Sequence, residues 1–320
     1  MGALTAWLFA GQGSQRRGMG GPLFDRFPEH CAVADAILGY SIRELCLDNP
    51  GRRLSDTTYA QPAIYVVGAL GALEAEADPP HFVAGHSVGE YAALVAAGAL
   101  DFETGLRLVK RRAELMAQAH GGGMVAVIDL PLAQISEVLA QEGISALDVA
   151  NYNLQRQIVL SGPREFIPAA TTALERAGAR CVQLDVSAAF HSRYMADAAA
   201  AFAPLVAGVT FLEPRIPVVS NVTAEPATRD TIGPLLAKQL RAPVRWYDCM
   251  RYLRAAGVET VRELGRTRVL SELWRVMHRD EPSAPSVPNA PSAPPAADAP
   301  EPLSALADAP ARALAVAAAA

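Results

Sequence analysis

His81-Phe82-Val83-Ala84-Gly85-His86-Ser87-Val88-Gly89-Glu90-Tyr91 is the stretch whose reading decides the fold of this chain. The run from His81 to Ala84 reads as a short strand, and Glu90 to Ala99 reads as a helix. Between them, Gly85-x-Ser87-x-Gly89 reads as a nucleophile elbow. A serine on a tight strand-to-helix turn needs glycine two residues before and two after it, because the backbones crowd there and a Cβ would clash. Its hydroxyl then stands beside the positive N-terminal end of the following helix, where developing negative charge is stabilised. A Gly-x-Ser-x-Gly string alone is equally a flexible loop; the strand and helix patterns on either side favour chemistry.

The rest of the chain fits that start. Its 320 residues, 51% hydrophobic and 19% charged, can bury a large core in one big domain or in a domain that carries an inserted smaller one. A net charge of −5 argues against a general nucleic-acid binder or anionic-membrane binder. The four cysteines, at 31, 46, 181 and 249, form no Cys-x-x-Cys pair and no metal-ligand spacing. Reduced thiols in a cytoplasm are therefore expected, with neither a disulfide framework nor a metal site. The start lacks a basic segment followed by a long apolar one, and Ala6 stands where an acylation signal needs serine or threonine, so neither a secretion signal nor a lipid anchor is expected. The apolar stretch from Tyr91 to Leu100 is too short to span a bilayer.

Helix-like and strand-like patterns alternate up to about residue 280. Val125 to Asp129 reads as a strand, Leu132 to Gln141 as a helix, Ala146 to Ala150 and Gln157 to Leu160 as strands, Glu165 to Ala177 as a helix and Cys181 to Val186 as a strand. That βαββαβ order suits a small ferredoxin-like unit inserted into a larger α/β domain. The expected organisation is a large α/β-hydrolase-like catalytic part from residues 1–123 and 190–280, with the small unit at 124–189. From 281 to 320 prolines recur among Ala, Ser and acidic residues, which reads as a disordered tail or linker.

One arginine stands apart. Asp101 reads as the cap of a helix running to about Ala119, and on it Arg112 has Leu108, Val109, Leu115 and Met116 as its i−4, i−3, i+3 and i+4 neighbours. A guanidinium on an apolar face needs an anion, from a protein carboxylate or from a ligand, and the residues leave both open. Arg111, with Arg107 and Glu114 nearby, reads as an ordinary solvated charge.

Further strings complete a pattern: Gly11-Gln12-Gly13-Ser14-Gln15 with Gly18-Met19-Gly20, Gln61-Pro62-Ala63, Ala150-Asn151-Tyr152-Asn153, Gln157-Ile158-Val159, Ala189-Phe190-His191-Ser192, Ser220-Asn221-Val222-Thr223 and Pro243-Val244-Arg245-Trp246. Together with the elbow, and in this order, they make the chain resemble the malonyl-CoA:acyl-carrier-protein transacylase family. The resemblance is greatest to the discrete, trans-acting acyltransferases of polyketide synthases, and it covers nearly everything except the tail. It implies ping-pong transfer of a malonyl group from malonyl-CoA through a Ser87 acyl-enzyme to the phosphopantetheine thiol of an acyl carrier protein, in polyketide or fatty acid biosynthesis. No cofactor is implied; the phosphopantetheine belongs to the partner.

The resemblance also implies roles. His191 is the base, held by a backbone carbonyl at or near Arg245, and the N–H groups of Gln12 and Val88 form the oxyanion hole. Arg112 clasps the free malonyl carboxylate, Phe190 restricts room for an α-branch, and Gln61, Asn153 and Asn221 line the pocket or stand just behind it, Gln61 and Asn153 as substrate-binding residues. His86, beside the nucleophile on a sharp turn, is expected to point away from the hydroxyl. Two positions depart from the family's usual pattern: Ala113 follows the arginine where glycine is common, and Gly265-Arg266-Thr267 replaces a Gly-Pro-Gly. An acidic carrier protein implies a basic rim, and Lys238, Arg241, Arg245, Arg251 and Arg254 form one local cluster. Two other readings of the same residues are an acyl hydrolase that strips carrier proteins and a non-catalytic carrier-protein-binding module. Arg112 discriminates against the first, since stripping simple acyl groups gains nothing from a carboxylate clamp. The intact Ser87 and His191 argue against the second.

Overall fold

The computed structural model describes residues 3–265 and 267–281; the expected tail, apart from Glu281, and Arg266 lie outside the described residues. Four strands, β1 (Leu4–Phe9), β2 (Phe82–Gly85), β7 (Val218–Val219) and β8 (Val258–Leu264), form a parallel sheet in the order β7-β2-β1-β8. A parallel sheet needs cover on both faces, and the period of two in β1 and β2 supplies apolar residues to both. Trp7, Phe9 and Val83 join one core, and Ala6, Leu8, Phe82 and Ala84 join the other.

The first face is covered by α4 (Thr57–Ala75), α5 (Gly89–Ala96), α6 (Phe102–Ala117), α9 (Ala196–Ala207) and α10 (Arg229–Gln239), with α1 (Gly21–Arg26), α2 (Pro28–Leu38) and α3 (Ile42–Asp48) flanking them. The second face is covered by α11 (Trp246–Ala255) and α12 (Val269–Asp280) through Trp246, Met250, Leu253, Leu270 and Trp274. The Asp101 cap is as read: its side chain accepts from the Thr104 N–H and starts α6 at Phe102.

The second sheet is antiparallel and is built from β3 (Gly122–Ile128), β4 (Asp148–Leu154), β5 (Gln157–Pro163) and β6 (Arg180–Gln183) in the order β4-β5-β3-β6. With α7 (Leu132–Gln141) after β3 and α8 (Ile167–Arg176) after β5, this is the βαββαβ order read from the sequence, and the sheet order is that of a ferredoxin-like unit. Its helices cover one face through Val125, Val127, Ile158 and Leu160, while Met124, Ala126, Ala150 and Val159 turn the other face to the main core. Strand ends differ from the sequence reading: β4 runs on to Leu154, because its pairing with β5 continues to Leu154–Gln157, while Ala150 and Tyr152 also bond Val244 of the large part, and β6 stops at Gln183.

At the carboxyl ends of β1 and β2, Phe9 lies beside Gly85, so the turn after β1 and the elbow after β2 share one edge of the sheet. Open parallel sheets bind ligands at that edge. The antiparallel sheet stands over it, and the segment after β6 is tied to the start of β3 by Ser187, whose carbonyl accepts from the Gly122 N–H, and runs on to His191. No described helix is long and apolar enough to cross a membrane.

Candidate active site

The elbow is built by exclusion. A Cβ on Gly85 would lie 2.0 Å from the Gly89 carbonyl carbon, and one on Gly89 would lie 2.1 Å from the Phe9 carbonyl oxygen. Both positions therefore demand glycine, and Ser87 between them takes φ 54°, in the left-handed region. A non-glycine residue held there stores of order 1–3 kcal/mol of strain, sustained by its surroundings. Here Asn221 supplies that hold: its Oδ1 accepts from the Ser87 N–H at 2.7 Å and its Nδ2 donates to the Gly85 carbonyl at 2.7 Å.

Ser87 Oγ is 2.7 Å from His191 Nε2. The other ring nitrogen of His191, Nδ1, lies 2.9 Å from the Gln239 carbonyl oxygen, which can only accept, so the proton sits on Nδ1 and Nε2 is left as the acceptor for the serine proton. Burial, and after it the Arg112 charge, holds the imidazole down to about 3, which keeps it neutral, with Nε2 free to accept, at neutral pH. The expected role of the Arg245 carbonyl is overturned. That oxygen accepts from the Cys249 N–H at the first turn of α11, and the carbonyl facing His191 comes from Gln239 at the end of α10.

Arg112 lies fully buried behind the nucleophile. Its NH1 donates to Gln61 Oε1 at 2.6 Å, and its NH2 is 3.1 Å both from Ser87 Oγ and from Gln239 Oε1. The Tyr91 ring lies 5.8 Å from its central carbon. Among the described residues no carboxylate forms an ion pair with it, and its Nε has no hydrogen-bond partner. Of the two anions that the sequence left open, a protein carboxylate is not at contact distance among the described residues. A buried guanidinium held only by neutral acceptors keeps much of its charge for a ligand.

Ser87 and His191 open onto a cleft of about 340 Å³ lined also by Gln12, Gln61, Met116, Met124, Asn151 and Phe190. Phe190, Gln61 and Gln12 all line this cleft. Asn153 does not: its Oδ1 bonds His86 Nε2 at 3.0 Å, and it is Asn151, two residues earlier and on the same strand face, that lines the cleft. His86 points away from the nucleophile, packs its ring 5.5 Å from Trp246, and is pushed down to about 4 by burial. Neither the Gln12 N–H nor the Val88 N–H has a hydrogen-bond acceptor among the described residues. Gly11 is fixed beside them, since a Cβ there would lie 2.5 Å from the His86 carbonyl oxygen.

Sequence reasoning missed Gln239 altogether. It sits in the last turn of α10 with no motif around it, yet its side chain touches Arg112, the Ser87 carbonyl and Glu90, and its own carbonyl orients the base. A polar residue on the helix face carried by Leu236 and Leu240 was the available signal. The basic cluster is divided. Arg245 pairs with Asp248 at 2.9 Å, Arg254 donates to the Glu281 carbonyl and Arg251 lies over the Tyr247 ring, whereas Lys238 and Arg241 are exposed. At the departing turn, Gly265 has φ 88° and the Thr267 hydroxyl bonds Glu263.

The model of the acyl transferase domain family matches residues 6–281. The chain is 48% identical over 277 residues to the polyketide biosynthesis protein ThaF of Burkholderia thailandensis, a match that covers 85% of this chain and 24% of that much longer protein. It is 44% identical over 291 residues to the polyketide biosynthesis malonyl CoA-acyl carrier protein transacylase BaeC of Bacillus velezensis, covering 89% of this chain and all of the relative. The crystal structure of a malonyl CoA-acyl carrier protein transacylase from Burkholderia pseudomallei superimposes with a TM-score of 0.85 at 44% identity, over 88% of this chain and all of that one. With its elbow, its base and its family match all falling within residues 6–281, the chain belongs to the acyl transferase domain family.

Proposed function

We propose that this protein is a malonyl-CoA:acyl-carrier-protein S-malonyltransferase of polyketide or fatty acid biosynthesis. The observation that carries the reading is Arg112: a buried cation, without a carboxylate partner among the described residues, 3.1 Å from the nucleophilic oxygen. An acyl group with a free carboxylate one carbon beyond its thioester carbonyl satisfies both groups at once.

Ser87 Oγ attacks the malonyl-CoA carbonyl while its proton passes to His191 Nε2. The N–H groups of Gln12 and Val88 hold the tetrahedral oxyanion, a donor pair of a kind worth about 3 kcal/mol per donor in such sites. The C–S bond breaks, the leaving thiolate takes the proton from His191, and CoA departs. In the second half the phosphopantetheine thiol of a carrier protein gives its proton to His191, attacks the acyl-serine and releases Ser87 as its alkoxide, which regains the proton. No resident cofactor enters either half. Phe190, walling the cleft beside the base, leaves little room for an α-methyl branch, and a methyl group is worth about 1–3 kcal/mol in such a pocket. Lys238 and Arg241, exposed beside the end of α10, offer charge to an acidic carrier protein in the cytoplasm.

Intact-mass analysis with malonyl-CoA tests the reading. A malonyl adduct on Ser87 that disappears on adding holo carrier protein, with malonyl-carrier appearing in equal amount, is the expected result. Loss of the adduct to water at the same rate with and without carrier would overturn it in favour of hydrolysis.

A further inference from the structure

Glu90 is the one buried acidic residue among the described residues, and the proposed chemistry leaves it without a part. It belongs to the first turn of α5, beneath the elbow. Its Oε2 accepts from the Gln239 Nε2 at 2.7 Å and from the Asn221 N–H at 3.1 Å. Each of these two partners reaches the reacting groups from a different element. Asn221, after β7, holds the Ser87 N–H and the Gly85 carbonyl. Gln239, in α10, meets Arg112 and the Ser87 carbonyl with its side chain and His191 with its backbone. One oxygen of Glu90 thus ties together the two residues that hold the nucleophile, the base and the cation.

We infer that Glu90 is a positioning residue: its Oε2 is the common acceptor that fixes Asn221 and Gln239, and through them sets the Ser87–His191–Arg112 geometry. The inference rests on the acyl-serine reading of the site. What the reaction draws from Glu90 is an oxygen at a fixed point, accepting two N–H groups, rather than a negative charge. Burial pushes its carboxyl up to about 7, against the opposing hydrogen bonds of Asn221, Gln239 and Ser220 and the Arg112 charge, so the site works with a weakly held charge there.

Two variants separate position from charge. Glu90→Gln keeps the side-chain length and an amide oxygen able to accept both N–H groups, but removes the charge. Glu90→Asp keeps the charge and draws the oxygens back by one methylene. Two rates are read on each purified variant: labelling of Ser87 by a fluorophosphonate, which reports the serine–histidine alignment without a malonyl group, and single-turnover acylation by malonyl-CoA.

Positioning predicts that Glu90→Gln falls by about threefold and Glu90→Asp by about 10- to 100-fold in both rates, as expected for the loss of two ordinary hydrogen bonds, with KM for malonyl-CoA moving far less than kcat. The reverse order, with Asp closer to the parent than Gln, would overturn it in favour of an electrostatic role. So would a loss confined to the fraction of molecules that react at all, with an unchanged rate in that fraction, which marks a merely structural residue. If the parent is labelled by the phosphonate but not malonylated, the acyl-CoA reading fails, while the order of the labelling rates still decides the role of Glu90.

Discussion

The two sheets of this molecule divide the work unequally. The parallel sheet carries the elbow on strands and helices buried on all sides, and every group that touches the reacting atoms is anchored to that half or to the helices packed on it. The antiparallel sheet is half-exposed along β4 and β6, contributes Met124, Asn151 and the segment from Leu184 to Val186 to the cleft wall, and brings no donor to Ser87 Oγ. Close packing against backbone fixes positions to fractions of an ångström, and a half-exposed sheet over a cleft shapes what enters. The parallel half should therefore be intolerant of change and the small sheet forgiving.

Paired glycine substitutions give the largest test. Gly89→Ala puts a Cβ 2.1 Å from the Phe9 carbonyl oxygen, where only backbone can give way, whereas Gly123→Ala on β3 meets a flexible Ile167 methylene at 3.3 Å. The first is expected to cost more than about 4 kcal/mol or to abolish soluble expression, and the second to stay within about 1 kcal/mol, read from urea midpoints. Equal losses would erase the distinction between the two halves.

Arg112→Ala comes next. Malonyl loading of Ser87 should fall by about 100-fold or more, in line with about 3 kcal/mol for a truncated partner of a buried charged contact, and acetyl loading by far less. Acylation rates with the two thioesters check it, and equal losses would remove the carboxylate role and leave Arg112 as a structural support of Ser87.

How much of this was legible beforehand follows the same divide. The elbow, the turn after β1, the α6 cap and the βαββαβ order are local patterns, since glycine spacing, a capping aspartate and apolar periodicity all act within a few residues. Arg112 was conspicuous because four apolar neighbours on a helix leave a guanidinium without a local reason. Gln239 and Asn151 were missed, and Arg245 was given the carbonyl that Gln239 provides, because these contacts are set by where α10 ends and by which residue of β4 faces the cleft. Such placements depend on packing between elements distant in sequence, which no short string records. Asn153 and Asn151 point to the same side of one strand, so periodicity alone could not choose between them.

Acid should weaken the parallel half first. His86 at about 4 and His191 at about 3, against 6.5 unfolded, refuse protons that the unfolded chain accepts, so stability is lost as pH falls below 6.5, by about 2 kcal/mol for each between pH 7 and 5. Glu90 at about 7, against 4.5 unfolded, works in the other direction: the folded carboxyl takes a proton in that range, and stability is gained by about 2 kcal/mol. The net expectation is a loss of about 2 kcal/mol from pH 7 to 5, growing to about 4 in Glu90→Gln, where the offset is gone. In the small sheet, burial opposes but the Arg193 hydrogen bonds and charge lower the Asp148 pKa, so its contribution is whole above the ordinary 3.8, begins to be lost only below it, and adds nothing to the change between pH 7 and 5. Urea midpoints across that range would show it; a Glu90→Gln slope equal to the parent's would contradict the assigned direction for Glu90.

The smallest effect is expected where the small sheet meets the cleft. Leu184 follows β6, is only partly buried, and is held by its own N–H on the Met124 carbonyl, a bond that a side-chain change leaves intact. Leu184→Ala removes part of the cleft wall and touches nothing bonded to Ser87, His191 or Arg112. A partly exposed leucine gives up well under the full cost of a core truncation, so KM for malonyl-CoA should rise by about three- to fivefold, about 1 kcal/mol, while kcat and the phosphonate-labelling rate of Ser87 stay close to the parent's. A fall in kcat with KM unchanged would mean that the small sheet helps set the alignment of the reacting groups, and the division of labour between the two sheets would have to be redrawn there.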